Sequence, residues 1–210
     1  MLRGIEINCH SSIKIKKDLV IYIDPFKIEQ NYNDGDLILI THSHYDHFSE
    51  EDILKVKKED SIIVITEDIK EKTIELGFKE QNIKIVKPNQ EEIIKDTKIK
   101  TLPAYNLGKK FHPKENEWVG YIITVNDVTY YIAGDTDITE ENKNIQCDVA
   151  FVPVGGTYTM TCEEATKLVN IIKPKIAIPT HYGDIVGKPK DGEDFKQMLE
   201  PEIKCEILIK

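Results

Sequence analysis

The chain has 210 residues, of which 40% are hydrophobic and 31% are charged, and its formal net charge at pH 7 is −9. This composition is typical of a folded globular protein and excludes a disordered one, and the length suits one sizeable core, so we predict a single domain over residues 1–210. The negative charge argues against a broad nucleic-acid-binding surface, which is normally basic.

The predicted elements begin with short strands at residues 4–10, 12–16, 19–24 and 36–41. Ser49, followed by three acidic residues, marks a helix to about residue 57, and a second helix over 68–76 is closed by Gly77. Strands are predicted at 61–66, 83–86, 97–102, 149–154, 176–181 and 202–209, with a hairpin over 121–133, and helices at 161–173 and 194–199. This order predicts an α/β protein with two packed sheets flanked by helices.

Two classes of segment are missing from the sequence. Residues 1–6 hold no apolar signal-peptide core, and no apolar run approaches the roughly 18 residues of a membrane helix. We therefore expect a cytoplasmic protein that does not bind membranes. The four cysteines include no C-x-x-C pair, so neither a disulfide scaffold nor a thiolate metal site is predicted.

Half of the histidines lie in one segment, His42-Ser43-His44-Tyr45-Asp46-His47, directly after an apolar run at residues 37–40. Because residues two apart on a strand point to the same side, His42 and His44 can direct their imidazoles to one ion. A turn then brings Asp46 and His47 back over the strand tip, where they can hold a second ion. Imidazole and carboxylate ligands without thiolate suit zinc, manganese or iron and are typical of a catalytic site.

This motif after an apolar strand resembles the signature of the metallo-β-lactamase superfamily, and further segments agree with it in order and spacing along nearly the whole chain. They are Asp24-Pro25 after a strand, Phe111-His112-Pro113, the strand end Gly134-Asp135-Thr136, and Pro179-Thr180-His181-Tyr182-Gly183. The likeness is greatest to small single-domain hydrolases, a group that includes lactonases and phospholipase-D-like relatives. The resemblance implies the metallo-β-lactamase fold, an αββα four-layer sandwich of two mixed β-sheets flanked by helices.

The resemblance also implies seven metal ligands and two divalent ions, with zinc expected first and manganese or iron as alternatives. One ion would be bound by His42, His44 and His112, the other by Asp46, His47 and His181, and Asp135 would bridge the two. The loop of His112 departs from the family pattern, because lysines and Pro113 stand where the family has glycine and serine.

Substrate contacts are expected from Gly156, Thr157 and Tyr158, which follow a predicted strand on the same rim, although this segment could also be an ordinary strand-to-helix loop. His10 ends the first strand and could line the cleft, and a structural histidine is the equal alternative. Asp24 either holds the N–H of a ligand imidazole or forms a turn before Pro25.

A hydroxide shared by two ions would be the nucleophile, and Asp46 would be the catalytic residue that also exchanges the proton. The predicted reaction is hydrolysis of an ester, lactone, amide, thioester or phosphodiester bond of a small molecule. Two rivals remain: an oxidoreductase with two irons or one, and a nucleic-acid-processing nuclease. The sequence shows neither an added flavin domain nor a basic arm, and it is compatible with a homo-oligomer.

Overall fold

The computed structural model describes residues 2–209. The chain divides into two compact units, one up to Lys87 and the other from Pro88 onwards. Each unit contains one mixed β-sheet and two α-helices. The single domain predicted from the length stays a prediction.

The first unit has a six-stranded sheet in which the strands follow one another in chain order. The first two pairings are antiparallel and the remaining three are parallel. The elements of this unit are β1 Ile5–Ile7, β2 Ile13–Lys16, β3 Val20–Ile23, β4 Gly35–Leu39, α1 Glu50–Val56, β5 Lys57–Ile65, α2 Lys70–Glu75 and β6 Ile83–Ile85.

Helix α1 begins where the sequence predicts. The Ser49 side chain caps the helix by accepting a hydrogen bond from the backbone N–H of Asp52. Asp52 is also one of three acidic residues in the first turn, where negative charge stabilises a helix. The buried face of α1, Ile53 and Val56, packs in one apolar cluster with β4 and β5, including Ile38. The carboxylate of Asp52 also accepts from the backbone N–H groups of residues 27 and 28, so it ties α1 to the loop after β3.

The second unit has a seven-stranded sheet in the order β13-β12-β11-β10-β9-β8-β7. The pairings from β7 to β10 are antiparallel, and those from β10 to β13 are parallel. Its elements are β7 Glu91–Ile94, β8 Thr97–Pro103, β9 Val119–Val125, β10 Val128–Ile132, β11 Val149–Pro153, α3 Cys162–Ile172, β12 Ile176–Thr180, α4 Asp191–Met198 and β13 Lys204–Cys205. Helix α3 has the capping box of Thr161 and Glu164 and packs Leu168 and Val169 into the core of this unit.

The fold class is confirmed as α/β, with two mixed sheets and flanking helices. Several local predictions differ from the structure. β1 ends at Ile7, so His10 lies in the turn after it and does not end the strand predicted at 4–10, and β5 begins at Lys57 and not at residue 61. The edge strand β7 was not predicted, because its exposed glutamates give no apolar alternation, and the last strand has only two residues where 202–209 was predicted. Among residues 2–209, no helix combines the length and the apolar character needed to cross a membrane.

Candidate metal centre

The histidine-rich segment lies immediately beyond β4. The ladder continues one residue past the strand, because the N–H of Ile40 donates to the carbonyl of Val64, 2.9 Å away. His42 is buried and His44 is partly buried, and Nε2 of His42 lies 3.0 Å from Nδ1 of His44. The two imidazoles therefore meet at the strand tip.

Asp24 is the centre of a buried hydrogen-bond network behind this segment. Its carboxylate accepts from the backbone N–H of Thr41 at 2.8 Å and from the Thr41 hydroxyl at 2.7 Å. Nδ1 of His47 lies 2.8 Å from the same carboxylate, and Nδ1 of His42 lies 2.9 Å from the Thr41 hydroxyl oxygen. One carboxylate thus holds His47 directly and His42 through Thr41.

This network fixes where the protons of the two imidazoles lie. An ionised Asp24 can only accept, so His47 donates to it from Nδ1. The Thr41 hydroxyl donates a hydrogen bond to Asp24, so its oxygen accepts one from Nδ1 of His42. Burial raises the pKa of the Asp24 carboxyl, and the charge and hydrogen bond of His47 and the hydrogen bonds of Thr41 oppose that rise. Metal binding requires neutral imidazoles, and with the proton on Nδ1 each of the two keeps the lone pair of Nε2 for an ion.

Asp46 lies between two fully buried imidazoles. Its Oδ2 atom is 3.1 Å from Nε2 of His10 and 3.5 Å from Nε2 of His47. Because His47 carries its proton on the other nitrogen, a lone pair of His47 faces a carboxylate oxygen. A cation between these atoms would suit both, so the donors in the first unit fit a divalent ion.

In the second unit a carboxylate faces two imidazoles. Oδ2 of Asp135 is 3.1 Å from Nε2 of His112 and 3.0 Å from Nε2 of His181, and all three residues are at least 97% buried. A carboxylate shared by two imidazoles has the chemistry expected of a bridging ligand. Folding of the second unit therefore brings together His112, Asp135 and His181, which lie in three separate sequence motifs.

Asn106 fixes the loop that carries His112. Its amide nitrogen donates to the carbonyls of Phe111 and Tyr158 and lies 3.2 Å from Nδ1 of His112. The ring of Phe111 contacts that of Tyr158 in a T-shaped arrangement with centroids 4.8 Å apart. The irregular loop around His112 is thereby joined to the predicted substrate loop.

The predicted substrate loop is a tight turn. Gly156 has φ +66° and Thr157 has φ +53°. The N–H of Gly156 donates to the carbonyl of Met160, and the N–H of Tyr158 donates back to Gly156, so both are used within the loop. Thr157 is exposed and Tyr158 partly exposed, and Gly156 and Thr157 line a cavity of about 450 Å³ beside the start of α3. Substrate contact stays a prediction that would rest on side chains more than on the backbone.

Besides Thr157, four residues of the predicted site or its support share an unusual backbone. His10, Asp24, His112 and His181 have φ of 51°, 46°, 58° and 58°, in the left-handed region that favours glycine. Each costs of order 1 kcal/mol, and such residues are typical of functional sites.

Two supporting residues were missed by sequence reasoning: Thr41 and Asn106. Thr41 immediately precedes the motif, so its position was a usable signal. Asn106 contacts Tyr158, which only the fold brings near it, and the sequence carries no local signal for that contact.

Comparisons with known proteins show the family of the chain. A family model described as the beta-lactamase superfamily domain matches residues 5–181, a range that contains all seven predicted ligands. A UPF0173 metal-dependent hydrolase from Staphylothermus marinus is 32% identical over 196 residues, which make up 89% of this chain and 80% of that protein. Another from Pyrococcus furiosus is 28% identical over 213 residues, 95% of this chain and 93% of that protein. The crystal structure of a Parabacteroides distasonis protein assigned as a metal-dependent hydrolase matches with a TM-score of 0.82 at 33% identity, covering 98% of this chain and 93% of that one.

Proposed function

Because the chain belongs to the metallo-β-lactamase superfamily, as a metal-dependent hydrolase, we propose that it cleaves an ester, lactone, thioester or phosphodiester bond of a small molecule at a centre of two divalent ions. Zinc is the first choice for both ions, and manganese or iron would fit the same nitrogen and oxygen donors.

The proposed ligands divide between the two ions. One ion would be bound by His42, His44 and His112, and the other by Asp46, His47 and His181. Asp135 would bridge them. The support for this division is the order of the motifs along the chain and the family match that spans them.

The observation that carries the proposal is that the two ring nitrogens of His47 face two different carboxylates, Asp24 and Asp46. Asp24 accepts from Nδ1 at 2.8 Å, which leaves the lone pair of Nε2 directed at the Asp46 carboxylate 3.5 Å away. A neutral imidazole and an ionised carboxylate repel in this orientation, and either a proton on Nε2 or a metal ion between the two atoms would relieve the repulsion. Such a pair is expected of metal ligands.

The ions would lower the pKa of water toward neutrality and polarise the scissile group. The chain would supply the remaining steps. Asp46, which is 8% exposed, would take up and return the proton of the attacking water at its carboxylate. Thr157, which is exposed, and Tyr158, which is partly exposed, would orient the substrate through their side chains.

The proposed partner is a small molecule and not a nucleic acid or a membrane, and the proposed compartment is the cytoplasm. The net charge of −9 supports the first of these, because a polyanionic substrate would be repelled over much of the surface. Cell fractionation would test the compartment, and sedimentation would show whether the chain forms a homo-oligomer.

The test is metal analysis joined to a substrate screen. Protein purified with zinc, manganese or iron should hold close to two ions per chain and hydrolyse at least one generic lactone, thioester or phosphodiester. Asp46→Ala should abolish hydrolysis, whereas Asp60→Ala, at an aspartate whose side chain is 71% exposed, should not. Full activity of a metal-free chain would overturn the proposal. Oxygen consumption by an iron-loaded protein would favour the oxidoreductase function. Cleavage of DNA or RNA would favour the nuclease function.

A further inference from the structure

His10 is buried beside the metal-binding segment, but it is not among the seven ligands that the family motifs indicate. It lies in the turn between β1 and β2, where the N–H of Ser12 donates to the carbonyl of Cys9 at 2.8 Å. Its side chain is 0% exposed. An ionisable side chain is rarely buried this completely in a short turn unless it has a specific partner.

The backbone of this turn favours glycine or asparagine over histidine. His10 has φ +51°, a conformation that glycine or asparagine adopts at a lower cost. A turn that had only to connect two strands would gain stability from either of them. The retention of a strained, buried imidazole at this position points to a use for the ring.

The ring faces the oxygen that the second ion would bind. Nε2 of His10 lies 3.1 Å from Oδ2 of Asp46, and Nε2 of His47 lies 3.5 Å from the same oxygen. The ligand atoms of His10, Asp46 and His47 all lie within 4.8 Å of one another. Two ligand atoms about 2.1 Å from a zinc ion at a tetrahedral angle are about 3.4 Å apart, so the two short separations match ligands of one ion.

We propose that His10 is an additional ligand of the second metal ion and binds it through Nε2 beside Asp46 and His47. The assignment rests on the proposed function only in requiring that the protein binds metal. It would give this ion one more imidazole than the motif-derived set provides. It also explains why the chain accepts a left-handed histidine in the turn.

The alternative role for His10 is to donate a hydrogen bond to Asp46 without binding the ion. Two variants separate these roles. His10→Gln places an amide nitrogen near the position of Nε2, so it keeps a hydrogen bond to Asp46 but is a poor metal ligand. His10→Asn tolerates the left-handed backbone, but its side chain is too short to reach Asp46. Asn33→Gln is the matched control, because Asn33 is exposed in the same unit with φ +47° and carries the same backbone cost for glutamine.

The measurements are zinc dissociation constants by chelator competition and the visible spectrum of the cobalt-substituted protein, which reports coordination number. We expect both His10 variants to weaken one of the two sites by at least ~10-fold, the lower end of the loss when even a supporting residue is removed. Their cobalt spectra should change, while Asn33→Gln matches the wild type in both readouts. Wild-type affinity and spectrum in His10→Gln would overturn the assignment and leave His10 as a hydrogen-bond donor. A wild-type protein that binds no metal would instead overturn the proposed function itself, and with it the role of His10.

Discussion

The backbone of Gly155 lies directly against the backbone carbonyl of His181. A Cβ atom at residue 155 would lie 2.1 Å from that carbonyl oxygen, far inside any real contact. The absence of a side chain at Gly155 is therefore what allows the turn after β12 to place His181 beside Asp135. The adjacent Gly156 makes no such contact, because its nearest neighbour would be a methyl group of Thr161 at 3.6 Å.

Gly155→Ala should displace His181 and weaken the metal site that it serves. We expect a loss of stability of about 1–3 kcal/mol from overpacking, together with a lower zinc affinity. Gly156→Ala should also lose about 1 kcal/mol, because its φ of +66° disfavours alanine, but it should keep the zinc affinity. Chemical unfolding and chelator competition on the pair would show the difference, and equal affinities would contradict it.

Asp24→Asn should reduce metal affinity without unfolding the protein. The amide cannot accept at both former oxygen positions, so the proton positions on His42 and His47 are no longer fixed. The expected cost is ~10–100-fold in zinc affinity, as for other residues that orient ligands. Asp60→Asn, at an exposed aspartate, is the control, and an unchanged affinity in Asp24→Asn would show that the network does not act on the ligands.

His112→Ala should lower the metal content by about one ion per chain while the second ion persists. His112 is the predicted ligand in the loop that departs most from the family pattern, so this variant tests the least secure assignment. Phe111→Ala changes the same loop at a 42% exposed residue without removing an imidazole and should keep both ions. Two ions and full activity in His112→Ala would mean that the first site is completed without this residue.

Asp52→Asn should destabilise the protein at pH 7 by about 1–3 kcal/mol, since its carboxylate accepts from charged and buried donors. Burial acts to raise the pKa of Asp52, but hydrogen bonds from Ser49, Lys55 and the backbone of Ile28 and Lys27 outweigh it and hold the pKa below its ordinary value. A carboxyl whose pKa folding lowers adds stability above its unfolded pKa, and that stability is lost as the pH falls through the folded value. Urea unfolding of wild type and variant from pH 7 down through about pH 4, near the ordinary pKa of aspartate, should show the difference shrinking in acid. A constant difference would rule out this origin.

Removal of metal should lower the melting temperature. Chelation removes binding energy that acts only on the folded state, about 2.7 kcal/mol per site at a free metal concentration 100 times the dissociation constant. Thermal unfolding before and after treatment with a chelator would measure the change, and added zinc should reverse it. The same melting temperature with and without metal would mean that the donors do not bind an ion tightly.

The fold could be predicted where local signals are strong. The helix after Ser49 and the capping box at Thr161 both form, because a cap acts within four residues of chain. The short β13 and the edge strand β7 could not be predicted, since their pairing depends on neighbours in the sheet and not on their own apolar pattern.

The candidate site likewise has a part that the sequence predicts and a part that it does not. The motif gave the donors because ligand chemistry restricts residue type and spacing. The bonds that orient them join residues distant in sequence, such as Asp24 with His47 and Asn106 with Tyr158, and their geometry follows only from folding. The position of His10 beside Asp46 likewise depends on folding, which brings the turn between β1 and β2 next to the segment after β4.

The left-handed backbone of His10, His112 and His181 bears on how this protein would respond to engineering. Relief of backbone strain taken alone would favour glycine or asparagine at these three positions, at a cost in buried packing and in the stability that bound metal would add. The same exchanges would remove imidazoles that we assign to the ions. Libraries for a more durable catalyst should therefore hold these three codons fixed and seek stability elsewhere.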